Sequence, residues 1–316
     1  MGAGAGHPDV NLQLQAPGPV MSAPLPVTVI GVGNMGGAMA QRLCALGWAP
    51  WVHDIDASKV QCLVPFGALA LADIARAATE SIATIICVVD ANQTREVLFG
   101  PGGLAPHLPV GHVVILCPTI GLQDVEDIAA QLATTGVLTL DAPMSGGPAR
   151  AREGSMSLMV AGPAAAWERC QPLLQALSAK VFHISDRPGD GARTKLVNNL
   201  LAGINLVGAA EVMALAARLG LDQRRTLDVI EQSSGQSWIG SDRMRRAIAG
   251  DLAPRAHMTL LAKDTQLALG AASQVGFSGP LGVHASAVFA AAVAAGLEGL
   301  DDAALLEFLQ RPKMAG

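Results

Sequence analysis

The chain has 316 residues, of which 51% are hydrophobic and 15% charged, with a formal net charge of −5. That length accommodates two domains of ordinary size, and the apolar content supplies a large core. The absence of any basic block argues against nucleic acid or an anionic membrane surface as partner.

No apolar run reaches roughly 18 residues without a polar or charged break, so no transmembrane helix is predicted. The five cysteines (Cys44, Cys62, Cys87, Cys117 and Cys170) are odd in number and lack C-x-x-C spacing. Free thiols in a reducing cytoplasm are the expectation, with no metal site. Residues 1–25 are rich in Gly, Ala and Pro and carry no Lys or Arg. They lack the basic and apolar regions of a signal peptide and read as a flexible tail, with Met21 as an alternative start.

The first predicted strand, Val27–Gly31, runs straight into Gly31-Val-Gly33-Asn34-Met35-Gly36, and a helix-compatible run follows to Leu46. Strand, Gly-x-Gly-x-x-Gly and helix in that order form the opening of a dinucleotide-binding βαβ unit. Gly31 permits the tight turn, Gly33 lets backbone approach a pyrophosphate, and Gly36 lets helix pack on strand. The pyrophosphate then meets the helix N-terminus, where unpaired N–H groups and the helix dipole favour an anion. Gly47 closes the helix, and Trp51–His53 reads as a second strand. Asp54 follows it, eighteen residues after Gly36. A carboxylate there accepts hydrogen bonds from adenosine ribose hydroxyls and repels a 2′-phosphate, which favours NAD over NADP. The bland alternative is a turn carboxylate in Asp54-Ile-Asp56.

Further strands are expected at Ile82–Val89, His112–Cys117, Leu138–Asp141, Ser157–Ala161 and Val181–Ile184. Helical patterns lie between several of them, at Ala70–Thr79, Gln123–Thr134 and Ala164–Leu177. This alternation predicts an α/β, Rossmann-type doubly wound and mostly parallel sheet covered on both faces, over residues 26–188. The turn cluster Ser185–Gly191 closes the pattern, with Gly189 and Gly191 as a candidate hinge.

From residue 189 to 316 nothing reads as a strand, so an all-helical substrate and oligomerisation domain is expected. Residues 192–219 form one long helical pattern ended by Gly220. It is apolar nearly all round, so it should be buried on most sides, running between the domains or clasped by a partner subunit. Asp222 reads as the N-cap of Gln223–Gln232. Further helices are expected at 259–275, at 281–295 and, capped by Asp301, at 302–310.

Three constellations carry chemistry. Lys195 and Asn199 lie four apart on the long helix and project from one face, among apolar neighbours. Desolvation lowers a lysine pKa and lets the amine accept and return a proton near neutral pH. A snorkelling lysine and a helix-bonded asparagine are the bland alternative. Asp141-Ala-Pro-Met-Ser145-Gly146-Gly147-Pro148 follows a predicted strand, at the edge where open α/β sheets bind ligands. Its hydroxyl and glycine N–H groups suit a carboxylate, although Pro, Ser and Gly also make ordinary turns. Lys263-Asp264 offers a second cation, or simply a solvated pair.

These four motifs, in this order and spacing, resemble the β-hydroxyacid dehydrogenase family, across roughly residues 27–310. Asn92-Gln-Thr-Arg-Glu-Val-Leu-Phe-Gly100 and Gln232-Ser-Ser-Gly-Gln-Ser-Trp238 make the chain look most like the L-threonate dehydrogenase branch. The resemblance implies that Gly31, Gly33, Asn34, Met35 and Gly36 cradle the pyrophosphate and Asp54 the adenosine ribose. Thr119 would lie near the nicotinamide ribose and Lys263 at the cofactor–substrate junction. Ser145, Gly146 and Gly147 would bind the substrate carboxylate. Lys195 would be the general acid/base and Asn199 would position substrate. Two departures fall on the expected cofactor path: Val89-Asp90 in place of Leu-Pro, and Pro118-Thr119 in place of Ser-Thr.

The implied activity is NAD-dependent oxidation of a small 3-hydroxy or 2,3-dihydroxy acid by a homodimer or homotetramer. A 3-hydroxyisobutyrate dehydrogenase, or a tartronate or succinic semialdehyde reductase, is the alternative on the same scaffold. A short-chain dehydrogenase is excluded, because it needs a catalytic tyrosine and the chain has none. No Gly-Lys-Ser/Thr supports a P-loop kinase. An imine reductase would not be expected to keep Lys195, and full phosphogluconate dehydrogenases are much longer. A cofactor-binding protein without catalysis is disfavoured by the joint presence of Lys195, Asn199 and Ser145.

Overall fold

The computed structural model describes residues 24–311; the expectations for the N-terminal tail, Met21 and the last residues lie outside this range. In chain order the first half comprises β1 (Val27–Ile30), α1 (Asn34–Ala45), β2 (Trp51–His53), α2 (Ala57–Gln61), β3 (Leu69–Ala70), α3 (Ala77–Glu80), β4 (Ala83–Ile86), α4 (Ala91–Phe99), β5 (Val113–Leu116) and α5 (Leu122–Ala133). It continues through β6 (Leu138–Asp141), β7 (Met144–Ser145), α6 (Gly147–Glu153), β8 (Ser157–Ala161), α7 (Ala164–Leu177) and β9 (Lys180–Ser185). The second half is helical, with α8 (Asp190–Arg218), α9 (Gln223–Glu231), α10 (Trp238–Ile248), α11 (Met258–Gln274), α12 (Pro280–Ala292) and α13 (Leu305–Gln310).

The strands form one sheet in the order β3-β2-β1-β4-β5-β6-β8-β7, with β9 on β8. From β3 to β6 every pair is parallel, while β8 runs antiparallel to both β6 and β7. Strands β1, β4 and β5 are buried along their whole length, as expected where helices cover both faces. Each face has its own apolar core. One packs α1 and α7 onto Val29, Ile85 and Ile115, and the other packs α5 onto Ile30, Ile86 and Leu116. The order reverses at β1, so the crevice between the C-terminal ends of β1 and β4 is the topological switch point where such sheets take ligands.

The structure changes several expectations. Ala70–Thr79 is not one helix. Ala70 pairs with Val52, and Asp73 accepts a hydrogen bond from the Ala75 N–H at 3.0 Å, starting a short turn before α3. The Asp141–Pro148 stretch is more than a turn, because Met144 and Ser145 pair with Leu158 and Ser157. Helices α4 and α10 were missed, although side-chain caps mark both: Asp90 accepts from the Gln93 N–H and Ser237 from the Gly240 N–H.

The third core, around Leu206, Met213, Met258 and Phe289, holds the helical half together around α8. That helix is not buried on most sides within one chain. Leu196, Gly203, Leu206 and Met213 are inside, but Val197, Leu201, Val212 and Leu215 are 72, 57, 46 and 53% exposed. By length and hydropathy, Asp190–Arg218 and Pro280–Leu297 are apolar enough to cross a membrane, which a count of polar breaks did not flag. Here α8 instead packs against α10, α11, α12 and α13. Asp301 does cap the terminal helical turns, and it also accepts from the Arg255 and Ala256 N–H groups and from Arg246. These bonds hold its carboxyl down at about 2 despite burial, and they close the far end of the helical half.

Candidate active site

The glycine turn sits at the switch point with the geometry its residue types require. Gly31 has φ +86°, and a Cβ there would lie 2.7 Å from the Cys87 carbonyl at the end of β4. A Cβ on Gly36 would lie 2.0 Å from the Gly31 carbonyl, so only glycine lets α1 start this close to β1. Gly33 faces open space. Helix α1 begins at Asn34 with no side-chain cap and no acidic residue in its first turn. Its leading N–H groups are therefore free to meet an anion. Asn34 is exposed and Met35 packs partly on the core. This open, side-chain-free cradle fits a dinucleotide pyrophosphate.

Asp54 stands at the end of β2, as expected, and does a further job there. Its carboxylate accepts from the Val32 and Asp56 N–H groups, both at 2.9 Å, which braces the glycine turn from beside it. Lys59 folds back to within 3.6 Å of the same carboxylate. Helix α2 brings about that approach, and the linear sequence does not show it.

Across the cleft, Lys195 is only 7% exposed on α8. Burial lowers its pKa to about 8, assisted by the neighbouring Lys263 charge and opposed by Asp264. Asn199, one turn on, donates its amide to Asp264 at 2.6 Å, and its oxygen accepts from Asn198 at 3.0 Å. Asp264 is buried, and its other carboxylate oxygen accepts no hydrogen bond. Burial raises the Asp264 pKa against the pull of Lys263, Lys195 and Asn199. Asp264 was not assigned a role from sequence. The available signal was its apolar setting between Leu260, Leu261, Leu267 and Ala268, which is unsuited to a solvated ion pair.

The Lys263 amine lies 3.5 Å from that second Asp264 oxygen, an ion pair, and also donates to the Thr119 carbonyl at 2.7 Å and the Val89 carbonyl at 3.3 Å. It thus ties α11 to the loops after β4 and β5, at the two departures from the family pattern. Beside it opens a cleft of about 360 Å³ lined by Gly121, Leu122, Leu196, Lys263, Gln266 and Leu267. Thr119 contributes its carbonyl to this junction, and the half-buried side chain remains unbonded among the described residues.

The Ser145–Gly147 turn joins β7 to α6, with Gly146 at φ +130° and Gly147 at φ +75°. No hydrogen bond links it to Lys195 among the described residues, but both hang from one anchor. Asp141, four residues before Ser145, accepts from the Gly189 N–H at 3.0 Å and the Ala192 N–H at 2.7 Å, at the start of α8. The expected hinge at Gly189 and Gly191 is therefore a pinned joint. Arg193 reinforces it with ion pairs to Asp190 and Glu126.

Comparison with known proteins agrees with this layout. Residues 26–185 match the NAD binding domain of 6-phosphogluconate dehydrogenase, and residues 189–309 match the NAD-binding domain of NADP-dependent 3-hydroxyisobutyrate dehydrogenase. L-threonate dehydrogenase of Escherichia coli K12 is 35% identical over 92% of this chain and 96% of its own length. 3-Hydroxyisobutyrate dehydrogenase of Pseudomonas aeruginosa is 36% identical over 87% of this chain and 95% of its own. A crystal structure of 3-hydroxyisobutyrate dehydrogenase from Salmonella typhimurium superposes with a TM-score of 0.84 at 36% identity, covering 90% of this chain and 99% of that one. With a glycine cradle at the switch point and a buried lysine on α8, the chain belongs to the β-hydroxyacid dehydrogenase family and is a nicotinamide-dependent oxidoreductase acting on the CH–OH group of a hydroxyacid.

Proposed function

We propose that this protein oxidises a small 3-hydroxy or 2,3-dihydroxy acid of the L-threonate type, with NAD as acceptor. The observation that carries the reading is Lys195, buried on α8 with its pKa near 8 and set beside Asn199 and Asp264. Bound in the cradle of Gly31, Gly33, Asn34, Met35 and Gly36, the nicotinamide cofactor supplies the hydride acceptor. The neutral Lys195 amine takes the substrate hydroxyl proton, and in reduction the ammonium returns it. Asn199 holds the hydroxyl-bearing carbon beside the amine while Asp264 fixes its amide. Ser145, Gly146 and Gly147 receive the substrate carboxylate. Thr119 and Lys263 line the nicotinamide side, where the Lys263 bridge sets the spacing of the two walls.

Asp54, at the end of β2 where it can accept from adenosine ribose hydroxyls, supports NAD, and the Lys59 amine 3.6 Å away weakens its repulsion of a 2′-phosphate. The separate apolar cores fit a nucleotide domain over 26–188 and a helical domain over 189–316. The exposed stripe Val197, Leu201, Val212 and Leu215 supports a homodimer or homotetramer built along α8. An apolar hollow of about 600 Å³ beside it, lined by Ile204, Gly208, Val212 and Met244, belongs to the same surface. A cytoplasmic site follows from the free cysteines.

The test is a spectrophotometric screen with NAD and with NADP against L-threonate, other four-carbon sugar acids, 3-hydroxyisobutyrate, glycerate and serine. L-Threonate with NAD should give the highest kcat/KM. A better turnover of 3-hydroxyisobutyrate would replace the substrate assignment, and a strong NADP preference would remove the role given to Asp54. Cofactor binding with no turnover of any hydroxyacid would defeat the catalytic reading.

A further inference from the structure

Arg150 stands out beside the substrate turn. It lies on α6, three residues past Gly147, and is half-buried. Its stem covers Gly146: a Cβ on that glycine would be 3.0 Å from Arg150 Cδ and 3.3 Å from Arg150 Cβ. Its guanidinium lies over the Trp238 ring, 4.3 Å from the centroid. The side chain donates no hydrogen bond and meets no carboxylate among the described residues.

The ring beneath it is a built platform. Trp238 opens α10, whose first turn is capped by Ser237. Arg243 approaches the same ring at 6.0 Å and is itself tied to Asp302 and Asp242. Stacking occupies only the face of a guanidinium, so the N–H donors around its edge stay available. A planar cation held this way, with unspent in-plane donors, is the residue type that reads a carboxylate by a two-pronged contact. It comes from the sheet half, and its platform comes from the helical half, so the pair is complete only when the halves are in register.

We propose that Arg150, held flat by Trp238, is a specificity-determining residue that recognises the substrate's carboxylate group at the Ser145–Gly147 turn. The turn itself offers N–H dipoles and a hydroxyl but no full charge. Lys195 must be neutral to act as base, and the Lys263 amine is engaged by two carbonyls. Arg150 supplies a cation directly against Gly146.

The inference rests on the hydroxyacid reading above, and the experiment separates the two. Wild type, Arg150→Lys, Arg150→Met and Trp238→Leu are assayed with the best hydroxyacid and with its neutral primary amide. NADH binding is followed by fluorescence in each. Arg150→Met should raise KM for the acid by about 10- to 100-fold, leave KM for the amide within about threefold, and leave kcat and NADH affinity near wild type. Arg150→Lys should recover part of the loss, and Trp238→Leu should show the same acid-selective defect, only smaller. Unchanged acid KM in Arg150→Met, or equal losses on acid and amide, would overturn the proposal while leaving the dehydrogenase reading intact. A wild type that turns over no hydroxyacid would remove that reading and this inference with it.

Discussion

The two walls of the cleft achieve function by opposite means. On the sheet side the working groups are main chain. Glycines at 31, 33 and 36 keep side chains away from the leading N–H groups of α1, whose first turn carries neither cap nor acid. On the helical side the working groups are side chains, and their chemistry comes from what surrounds them. Lys195 is an ordinary lysine whose pKa burial lowers to about 8, so that part of it is neutral near physiological pH, and Asp264 is an ordinary aspartate kept from water. Shape defines one wall and dielectric the other, so substitutions in the two should fail differently.

The sharpest break is at Gly36. A Cβ placed 2.0 Å from the Gly31 carbonyl forces α1 off β1. Gly36→Ala should abolish measurable NADH binding by fluorescence titration, or lower affinity by at least about 100-fold, and lose stability with it. Lys195→Ala should show the reverse. NADH binding stays within about twofold, while kcat for hydroxyacid oxidation falls by about 10²- to 10⁴-fold, the range typical for removal of a general base. A Lys195→Ala enzyme with near-normal kcat would refute the assignment outright.

The same contrast explains what could be read from the sequence. The glycine turn was legible because a backbone requirement admits one residue type at each position, and the flanking strand and helix confirm it locally. Strands β6 and β8 and helix α7 were legible to the residue, since buried strand runs and amphipathic helices leave strong local patterns. Asp264 was not, because its meaning lies in Asn199, which is 65 residues away in sequence and 2.6 Å away in space. The Trp238 platform was hidden for the same reason, since its partner Arg150 belongs to the other half. Lys195 is the instructive middle case. Its spacing from Asn199 allowed a snorkelling lysine equally well, and four motifs together, rather than the spacing, favoured catalysis.

The pH dependence sharpens the electrostatic half of the comparison. With Lys195 as the proposed base, oxidation needs its neutral form, so kcat/KM should climb about tenfold per pH unit and level off above about 8. Reduction should show the mirror profile, falling above the same value. Removing the Asp264 charge takes away the interaction that raises the Lys195 pKa. Asp264→Asn should therefore move the oxidation midpoint to lower pH while kcat drops about 10-fold as Asn199 loses its fixed partner. An unmoved midpoint would mean that Asp264 does not act on Lys195.

The smallest effect is at the joint between the walls, and it has the opposite sign from most active-site substitutions. Asp141 is buried, and desolvation pushes its pKa up to about 7, outweighing the N–H groups of Ala192, Gly189 and Gly191. Because the folded value lies above the unfolded 3.8, its contribution to stability is full below about 4 and is lost as pH rises through about 7. At pH 8 the joint therefore carries a costly buried charge. Asp141→Asn can keep an oxygen facing Gly189 and Ala192 without that charge. It should raise Tm by about 2–4 °C at pH 8, with the gain shrinking toward pH 4 in thermal melts. A loss of stability at pH 8 would instead show that the ionised carboxylate is needed to pin the start of α8.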